Sequence, residues 1–332
     1  MHMSTTALTA GTSDADRRRI IESAFAVVVD GVPDLPPTHR GKVRDVYVRG
    51  DELLLVATDR VSAFDVVLGT IPLKGQLLTE QSVYWLQRAA EVAPTHLIER
   101  LGPAVLRCKK AQAFPVELVV RGHLAGSLLR EAPDQRGRAY GLTLDPAQTA
   151  WSAFAEPIIT PTTKEAVGVH DEPCSLDDLV SSGRMTAAQV TRACEIARAL
   201  FALGQRHADD QGLILVDTKY ELGLIDGEIC IIDEVHTADS SRFWVKASYG
   251  SRVAAGEAPE MLDKENLRRW LLAQGFSGHG TPPPLSDAIR SDLAAHYWDL
   301  TERVLGHRVL PELTAPSALR TAVQAFLSRV GQ

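Results

Sequence analysis

The chain has 332 residues, enough to bury a large core in two or three subdomains, and its composition is that of an ordinary globular protein. A formal charge of -7 argues against a nonspecific nucleic-acid surface, and no apolar run suits a signal sequence or a membrane span, so we expect a cytoplasmic protein. The four cysteines are isolated from one another, which gives neither a zinc-site nor a disulfide pattern.

Short alternating segments separated by turn residues make the first half of the chain rich in predicted strands. Thr79 is the predicted N-cap of a helix that continues to Ala90. In chain order we predict a disordered segment over 1–16, a helix over 17–29, strands over 43–48 and 53–58, the helix capped by Thr79, and strands over 104–109 and 116–121.

Regular periodicity fades between residues 131 and 173, where Pro157, Pro161 and Pro173 indicate a long loop that carries Lys164. Two capping boxes follow, Ser175-x-x-Asp178 and Thr186-x-x-Gln189. The second begins a long helix to about His207. Further helices are predicted over 263–274 and 286–305.

Two strongly charged strands are predicted between residues 215 and 235. Asp217, Lys219 and Glu221 alternate with apolar residues along the first strand, and Asp233 ends the second. Charges in a half-buried hairpin are costly unless they are paired or bind a metal, so this pattern predicts an active site. The alternative is that Lys219 merely neutralises nearby carboxylates in a structural ion pair.

Loop length decides whether these four charges share a face. A three-residue loop over 225–227, with Gly227 left-handed, pairs Lys219 with Asp233 and brings all four together. A two-residue turn at Asp226-Gly227 places Asp233 on the other face, which weakens a metal site.

Gly41 and Lys42 come just before the predicted strand 43–48, and Arg44 lies at its start. A glycine lets the backbone approach a polyphosphate, and a neighbouring lysine neutralises it. Basic residues beside a turn are also commonly just solvated. Neither a Walker A sequence nor a dinucleotide fingerprint occurs in the chain.

Asp59, Ser62 and Asp65 follow the predicted strand 53–58 in one polar turn. Two carboxylates and a hydroxyl in one turn suit a polar substrate, and they also suit a surface Asx turn.

Arginines follow two other predicted strands. Arg121 and Ser127 are separated by glycines that would let both side chains close around a phosphate. Arg242 comes just after the charged hairpin and is either a further phosphate ligand or a structural ion-pair partner.

In their order along the chain, these segments resemble the phosphoribosylaminoimidazole-succinocarboxamide synthase (SAICAR synthetase) family. The resemblance runs from about Gly41 to Trp244. The blocks that carry it are Gly41-Lys-Val-Arg-Asp-Val-Tyr47, Asp59-Arg-Val-Ser-Ala-Phe-Asp65, Val120-Arg-Gly-His-Leu-Ala-Gly-Ser127, Pro161-Thr-Thr-Lys164, Asp217-Thr-Lys-Tyr-Glu221 and Asp233-Glu-Val-His-Thr-Ala-Asp-Ser-Ser-Arg-Phe-Trp244.

The resemblance implies an α+β, ATP-grasp-like fold with antiparallel sheets and C-terminal helices. With it we expect a disordered N-terminus (1–16), an N-terminal α+β subdomain with a phosphate-covering loop (17–115), a central ATP-grasp-like domain with the metal hairpin (116–260) and a C-terminal helical segment (261–332). It also implies a ligase of purine biosynthesis that joins carboxyaminoimidazole ribonucleotide (CAIR) to L-aspartate, using ATP and Mg²⁺, through an acyl phosphate.

Each candidate residue takes a role from this resemblance. The expected roles are covering of the ATP phosphates for Gly41, Lys42 and Arg44, and magnesium binding for Glu221 and Asp233. Lys219, Asp217 and Lys164 are expected to be catalytic: Lys219 neutralises charge near the nucleotides, and Lys164 lies in a loop that forms the wall between ATP and substrate. The remaining roles are 5′-phosphate binding for Arg121, Ser127 and Arg242, and binding of imidazole and aspartate for Asp59, Ser62 and Asp65.

The expected partners are the small molecules CAIR, L-aspartate and ATP, with no nucleic acid and no membrane, and the chain is expected to be a monomer or a small homo-oligomer. Two alternatives stay open at this point. One is a small-molecule kinase of related fold, which would share the lysine and the metal carboxylates. The other is a nucleotide-binding module without turnover.

Overall fold

The computed structural model describes residues 13–64, 66–164, 172–262, 265–313 and 315–328. The helices in these ranges are α1 (Asp14–Ala24), α2 (Lys74–Ala89), α3 (Gly126–Arg130), α4 (Leu176–Ser181), α5 (Ala187–Asp210), α6 (Lys246–Ala254), α7 (Glu265–Ala273), α8 (Asp287–Leu305) and α9 (Pro316–Ser328). The strands are β1 (His39–Arg40), β2 (Arg44–Arg49), β3 (Glu52–Ala57), β4 (Arg60–Ala63), β5 (Val66–Thr70), β6 (Leu97–Gly102), β7 (Val105–Lys109), β8 (Gln112–Ala113), β9 (Val116–His123), β10 (Ala153–Thr163), β11 (Leu213–Ile225), β12 (Glu228–Ile232) and β13 (Ser241–Val245).

Helix α1 begins earlier than predicted, inside the segment expected to be disordered. Ser13 accepts a hydrogen bond from the Asp16 amide, and the Asp16 carboxylate accepts one from Ser13. This capping box fixes the start at Asp14. The helix ends at Ala24 and continues only as a 3₁₀ turn, so the predicted range 17–29 is wrong at both ends. Residues 1–12 lie outside the described residues.

The N-terminal sheet has the antiparallel order β1-β2-β3-β7-β6. The predicted strands 43–48, 53–58 and 104–109 correspond to β2, β3 and β7. One face of this sheet packs against α9, through Leu319, Val323 and Phe326. The other face packs against α2. The two helices therefore cover the sheet from opposite sides.

Helix α2 begins before the N-cap that was predicted at Thr79. It begins at Lys74, after a left-handed Leu73, and the first turn receives its cap from a distant residue, since the Gly75 amide donates to Asp59 Oδ1 at 2.9 Å. Thr79 lies inside the helix, and its hydroxyl donates to the Gly75 carbonyl oxygen at 2.9 Å. The predicted N-cap at Thr79 is therefore wrong.

The central sheet has the antiparallel order β10-β9-β11-β12, with β13 and β8 also paired to β11. Strand β10 occupies residues 153–163, which were predicted as part of a long loop. It tolerates Pro157 and Pro161 because it lies at the sheet edge, and its pairing with β9 is interrupted between Ala153 and Ile158. The loop prediction is wrong for this stretch. Residues 165–171 lie outside the described residues.

The charged hairpin has the shorter of the two possible loops. Ile225 pairs with Glu228, so the turn contains only Asp226 and Gly227, and both have positive φ, 53° and 82°. Glu221 pairs with Ile232, and the predicted pairing of Lys219 with Asp233 is wrong.

Both predicted capping boxes in the second half are present, at the starts of α4 and α5. Helix α5 packs across β9 and β11, and α8 packs against α1 and α2. The C-terminal helices thus contact the N-terminal region as well as the core. No helix in the described ranges is long and apolar enough to cross a membrane.

Candidate active site

One face of the central sheet is polar, because side chains alternate along its strands. Asp217 pairs with Arg121 and Lys219 pairs with Val119, so β9 and β11 present their charged residues on the same side. Leu118, Val120 and Tyr220 have the opposite orientation and are buried in the main core. The polar face carries two groups of charges.

The first group, named here the arginine cluster, consists of Arg121, Asp217 and Arg242. Asp217 Oδ2 accepts hydrogen bonds from Arg121 Nη1 at 3.2 Å and from Arg242 Nη1 at 2.6 Å. Arg121 also donates to Thr160 Oγ1 at 2.9 Å and to Ser127 Oγ at 3.2 Å. Two cations converge on one carboxylate, so within these three residues cations outnumber carboxylates.

Gly126 lets the Arg242 guanidinium lie against the backbone. It has a φ of +60°, and a Cβ added there would lie 2.5 Å from Arg242 Nη1. Any other residue would be strained at this φ and would displace the guanidinium. The glycine therefore fixes one wall of the arginine cluster.

A polar cavity of about 210 Å³ opens beside the arginine cluster. Its lining includes the three residues of the cluster together with Lys219, Ser127, Asp239 and Arg268. Basic and hydroxyl side chains around a cavity of this size suit a phosphate group. Arg268 lies on α7, in the segment to which sequence analysis assigned no chemistry.

The second group, named here the carboxylate cluster, consists of Glu117, Glu221, Asp233 and Glu234. Lys219 Nζ donates to Glu117 Oε1 at 2.6 Å and to Glu221 Oε1 at 3.0 Å, and Lys164 pairs with Glu221 Oε2.

A third cation, Arg44, completes these pairs. Its Nη2 lies 2.8 Å from Asp233 Oδ2 and 2.8 Å from Glu234 Oε1. The four carboxylates outnumber the three cations that pair with them by one. This cluster therefore has the opposite excess charge to the arginine cluster.

Asp233 reaches the cluster in spite of the hairpin register. It follows the last residue of β12 and has a left-handed φ of 64°, which ends the strand alternation. The charges of Glu221 and Lys219 both act on it, and it lies close to Arg44. The two-residue turn alone would have placed Asp233 on the face opposite to Glu221 and Lys219. The left-handed conformation of this one residue brings its carboxylate back to them.

Burial and pairing act in opposite directions on the carboxylates. Burial raises the pKa of Asp233 to about 6, and the neighbouring charge of Glu221 adds to this while Arg44 opposes it. Burial would also raise the pKa of Glu221, but Lys219 and Lys164 outweigh it and lower that pKa well below its usual value. Glu221 is therefore ionised at neutral pH.

The carboxylate cluster fits a magnesium ion that is shared with a ligand. Glu221 and Asp233 repel each other in a buried site, and a divalent cation would relieve that repulsion. Mg²⁺ prefers one or two carboxylates together with phosphate oxygens and water. Among the described residues, no group of three or more His, Cys, Asp or Glu side chains is placed to hold a metal without such a ligand.

Arg60, to which sequence analysis gave no role, holds the turn at Gly41 and Lys42 through hydrogen bonds. Arg60 donates to the carbonyl oxygens of Gly41 at 3.0 Å and Lys42 at 3.2 Å, and to Asp45 Oδ1 at 2.6 Å. The Gly41 amide donates to the Arg44 carbonyl oxygen at 2.8 Å. The turn is therefore fixed beside the carboxylate cluster, and the Lys42 side chain is exposed.

Asp59 has a structural task. Its two carboxylate oxygens accept from the Val29 amide at 2.8 Å and from the Gly75 amide at 2.9 Å, and burial raises its pKa to about 6. Ser62 lies on β4 and is partly exposed, whereas Asp65 lies outside the described residues. The assignment of these three residues to a substrate site stays a prediction.

Sequence analysis missed Glu117, Asp239 and Arg268. Glu117 stands two residues before Val119 and four before Arg121, so strict alternation along β9 could have placed it on the polar face. Asp239 is held by Lys74 Nζ at 2.7 Å and by the Tyr297 hydroxyl at 2.9 Å, contacts that no local pattern reveals.

Comparison with known protein families matches residues 37–282 to the SAICAR synthetase family. A phosphoribosylaminoimidazole-succinocarboxamide synthase from Cytophaga hutchinsonii is 42% identical over 271 residues, which cover 81% of this chain and 87% of that protein. The chloroplastic enzyme of the same name from Vigna aconitifolia is 44% identical over 256 residues, 76% of this chain and 73% of that protein.

Solved structures agree with these relatives. The SAICAR synthase from Saccharomyces cerevisiae in complex with SAICAR has a TM-score of 0.73 and 32% sequence identity, and the match covers 85% of this chain and 98% of that one. A SAICAR synthetase in complex with ADP has a TM-score of 0.63 over 82% of this chain and 99% of its own, and at 23% identity it shows the shared fold.

Proposed function

Since this chain belongs to the SAICAR synthetase family, a family of ATP-binding ligases of purine biosynthesis, we propose that it joins the carboxylate of CAIR to the amine of L-aspartate. ATP is the proposed co-substrate, and the products are SAICAR, ADP and phosphate. The single observation that carries the proposal is the pair of adjacent clusters of opposite excess charge on one sheet face. A phosphate-bearing substrate needs a positively charged site, and a metal-bound nucleotide needs carboxylates next to it.

The arginine cluster would bind the 5′-phosphate of the ribonucleotide. Arg121 and Arg242 offer guanidinium N–H groups that suit phosphate oxygens, and Ser127 adds a hydroxyl beside the same cavity. Asp217 orients both arginines through its hydrogen bonds. We therefore assign Asp217 to alignment of the phosphate site.

The carboxylate cluster would hold the nucleotide end. Glu221 and Asp233 would hold Mg²⁺, which when bound neutralises phosphate charge. The turn at Gly41 and Lys42 would cover the ATP phosphates, and Arg44 keeps Asp233 in place. The predicted contacts of Asp59, Ser62 and Asp65 with imidazole and aspartate belong to this proposal as well.

The proposed chemistry starts from a carboxylate, which is a poor electrophile at neutral pH. Transfer of the γ-phosphoryl group of ATP to a carboxylate oxygen of CAIR gives an acyl phosphate and ADP. The amine of aspartate then attacks the acyl carbon, the C–O bond to phosphate breaks, and the amine gives up a proton. Lys219 and Lys164 neutralise the charge that crowds this centre, so that alignment and electrostatics supply the catalysis.

The test is ADP release by the purified protein with ATP, Mg²⁺, CAIR and L-aspartate, omitting each component in turn, with mass spectrometry of the product. We expect SAICAR to form only when all four are present. ADP release without aspartate or without the ribonucleotide would instead support a kinase or an uncoupled ATPase. Nucleotide binding without turnover under every condition would support a non-catalytic module.

A further inference from the structure

One turn of the chain joins the two clusters. Residues 233–242 begin at Asp233 in the carboxylate cluster and end at Arg242 in the arginine cluster. Asp233 and His236 both have left-handed backbones, with φ of 64° and 49°. This conformation is uncommon for residues other than glycine, although Asp and His adopt it more often than most, and two such residues in four give the turn a defined shape. Contacts made by this turn therefore decide where both clusters lie.

Most contacts of the turn involve the turn itself or α2. Thr237 Oγ1 donates to Glu234 Oε2 at 2.6 Å, and the Ala238 amide donates to Gln81 Oε1 on α2 at 2.7 Å. These bonds shape the turn. The far end of the turn is joined to β11, since the Lys219 amide donates to the Ser240 carbonyl oxygen at 3.1 Å and Ser241 Oγ donates to Thr218 Oγ1 at 2.7 Å. None of these bonds connects the middle of the turn to β11.

A buried hydrogen bond makes that connection. The Tyr220 hydroxyl and His236 Nε2 are 2.5 Å apart, and both residues are fully buried. Tyr220 stands between Lys219 and Glu221, so its side chain leaves the strand on the face opposite to theirs. The bond therefore ties the underside of the strand to the middle of the turn.

The His236 ring is confined on two sides. Trp85 packs edge-on against it, with ring centroids 4.5 Å apart. On α5, a Cβ added at Gly204 would lie 2.8 Å from His236 Nδ1. The absence of that Cβ makes room for the imidazole, and the ring has little freedom to move unless the turn moves with it.

We propose that the Tyr220–His236 hydrogen bond is a positioning contact, which holds the turn 233–242 in place against β11 and thereby sets the spacing of the carboxylate and arginine clusters. This inference rests on the proposed function for what binds at each cluster. Both side chains are fully buried, so the contact would act on ligand binding through the turn. Loss of the bond should loosen the turn and weaken binding at both ends of it.

The first experiment compares Tyr220→Phe with Tyr84→Phe. Tyr84 is a matched control, because its hydroxyl approaches His207 at 3.4 Å in the same aromatic group but does not contact the turn. Amide hydrogen exchange of the ligand-free protein and steady-state kinetics are measured for both. We expect Tyr220→Phe to speed exchange in residues 233–242 and to raise the KM of both CAIR and ATP about tenfold, with a smaller change in kcat.

The control should match wild type in exchange of the turn and in both KM values. Unchanged exchange and unchanged KM values in Tyr220→Phe would overturn the proposal, as would equal changes in Tyr84→Phe. If the wild-type protein makes no SAICAR, the proposed function fails, and the exchange comparison in the ligand-free protein still decides whether the bond positions the turn.

A second pair of variants approaches the same ring from α5. Gly204→Ala introduces a Cβ that collides with the His236 ring and with Leu215 Cδ2 on β11, whereas Gly250→Ala, in helix α6, meets no atom within 4 Å. Alanine favours a helix over glycine, so the control should be at least as stable as wild type. Faster exchange of the turn in Gly204→Ala alone supports the proposal, and exchange as slow as in the control contradicts it.

Discussion

The arginine cluster and the carboxylate cluster have similar arrangements with opposite charges. In the first, one carboxylate, Asp217, receives two arginines; in the second, one lysine, Lys219, bridges two glutamates. Among the residues that define each cluster and their described partners, cations outnumber carboxylates in the first and carboxylates outnumber cations in the second. Adjacent positions on a single strand can therefore favour an anion at one end and a cation at the other.

Neither cluster is best understood as a source of stability. Bringing charges out of water costs free energy that ion pairing only partly returns, so buried pairs add little to stability over apolar residues of similar volume. Both clusters line or adjoin the polar face of the sheet. Their arrangement is better explained by ligand binding, and the predictions below test whether the two ends act on different ligands.

The largest expected effect is at the carboxylate cluster. Glu221→Gln keeps the size of the side chain but removes a proposed magnesium ligand, so we expect kcat to fall roughly 100-fold or more while the protein stays folded. Lys219 keeps its partner Glu117 in this variant. The measurement is SAICAR formation across a range of Mg²⁺ concentrations, with circular dichroism as the check on folding.

Glu228→Gln is the matched control, because Glu228 is exposed at the start of β12. It should leave turnover unchanged at every Mg²⁺ concentration. Wild-type turnover in Glu221→Gln would show that Glu221 is not a magnesium ligand. It would also contradict the proposal that the two clusters bind different ligands.

A smaller and different effect is expected at the arginine cluster. Arg242→Lys keeps the charge but loses the planar fork of N–H donors, so the KM of the ribonucleotide should rise roughly tenfold while the KM of ATP changes little. Initial rates measured while each substrate is varied in turn give both constants.

Arg252→Lys serves as control, since Arg252 lies on α6 and pairs with Glu257 at the surface. Both of its KM values should match wild type. Should Arg242→Lys raise the KM of ATP as much as that of the ribonucleotide, the two clusters would not divide the ligands as proposed.

The smallest effect concerns pH, because a buried histidine lies near each cluster. Burial lowers the pKa of His96, which hydrogen-bonds to the backbone of Asp233, to about 4, and it lowers the pKa of His123, near Asp217, to about 4. Unfolded histidine binds a proton near pH 6.5. The stability that these two groups contribute is therefore fully present above pH 6.5 and is lost as pH falls toward 4.

Urea unfolding of wild type and His123→Phe at pH 7, 6 and 5 tests this. Each such histidine contributes up to ~1.4 kcal/mol per pH unit to the fall of the unfolding free energy, so the variant should show a shallower fall. Asp59 and Asp233, whose pKa values burial raises to about 6, act in the opposite direction in both proteins. His39→Gln, at an exposed position on β1, should keep the wild-type slope, and an equally steep fall in His123→Phe would refute the assignment.

Local signals predicted much of the fold. The capping boxes at Ser175 and Thr186 were predicted correctly because cap and partner are three residues apart. Helix α2 was placed wrongly because its cap is Asp59, sixteen residues before Gly75. Strand β10 was missed because its prolines suggest a loop, and only its position at the sheet edge makes them acceptable.

In the candidate site, too, residues within local patterns were predicted, and residues placed by tertiary structure were not. Arg121 and Lys219 were recognisable because alternation and family motifs place them on strands. The position of Asp233 depends on one backbone angle at the end of β12, which strand periodicity does not encode. Arg268 reaches the cavity from α7, and tertiary packing alone brings it there.

The packing of α9 has a consequence for synthesis of the chain. Leu319, Val323 and Phe326 cover a sheet face that includes Tyr47 and Leu54, although more than 250 residues separate the two in sequence. Because a ribosome delivers the N-terminal part first, this apolar face stays uncovered until α9 has emerged. The sheet beside the Gly41 turn thus exposes an apolar face during synthesis, and truncation before α9 should favour aggregation.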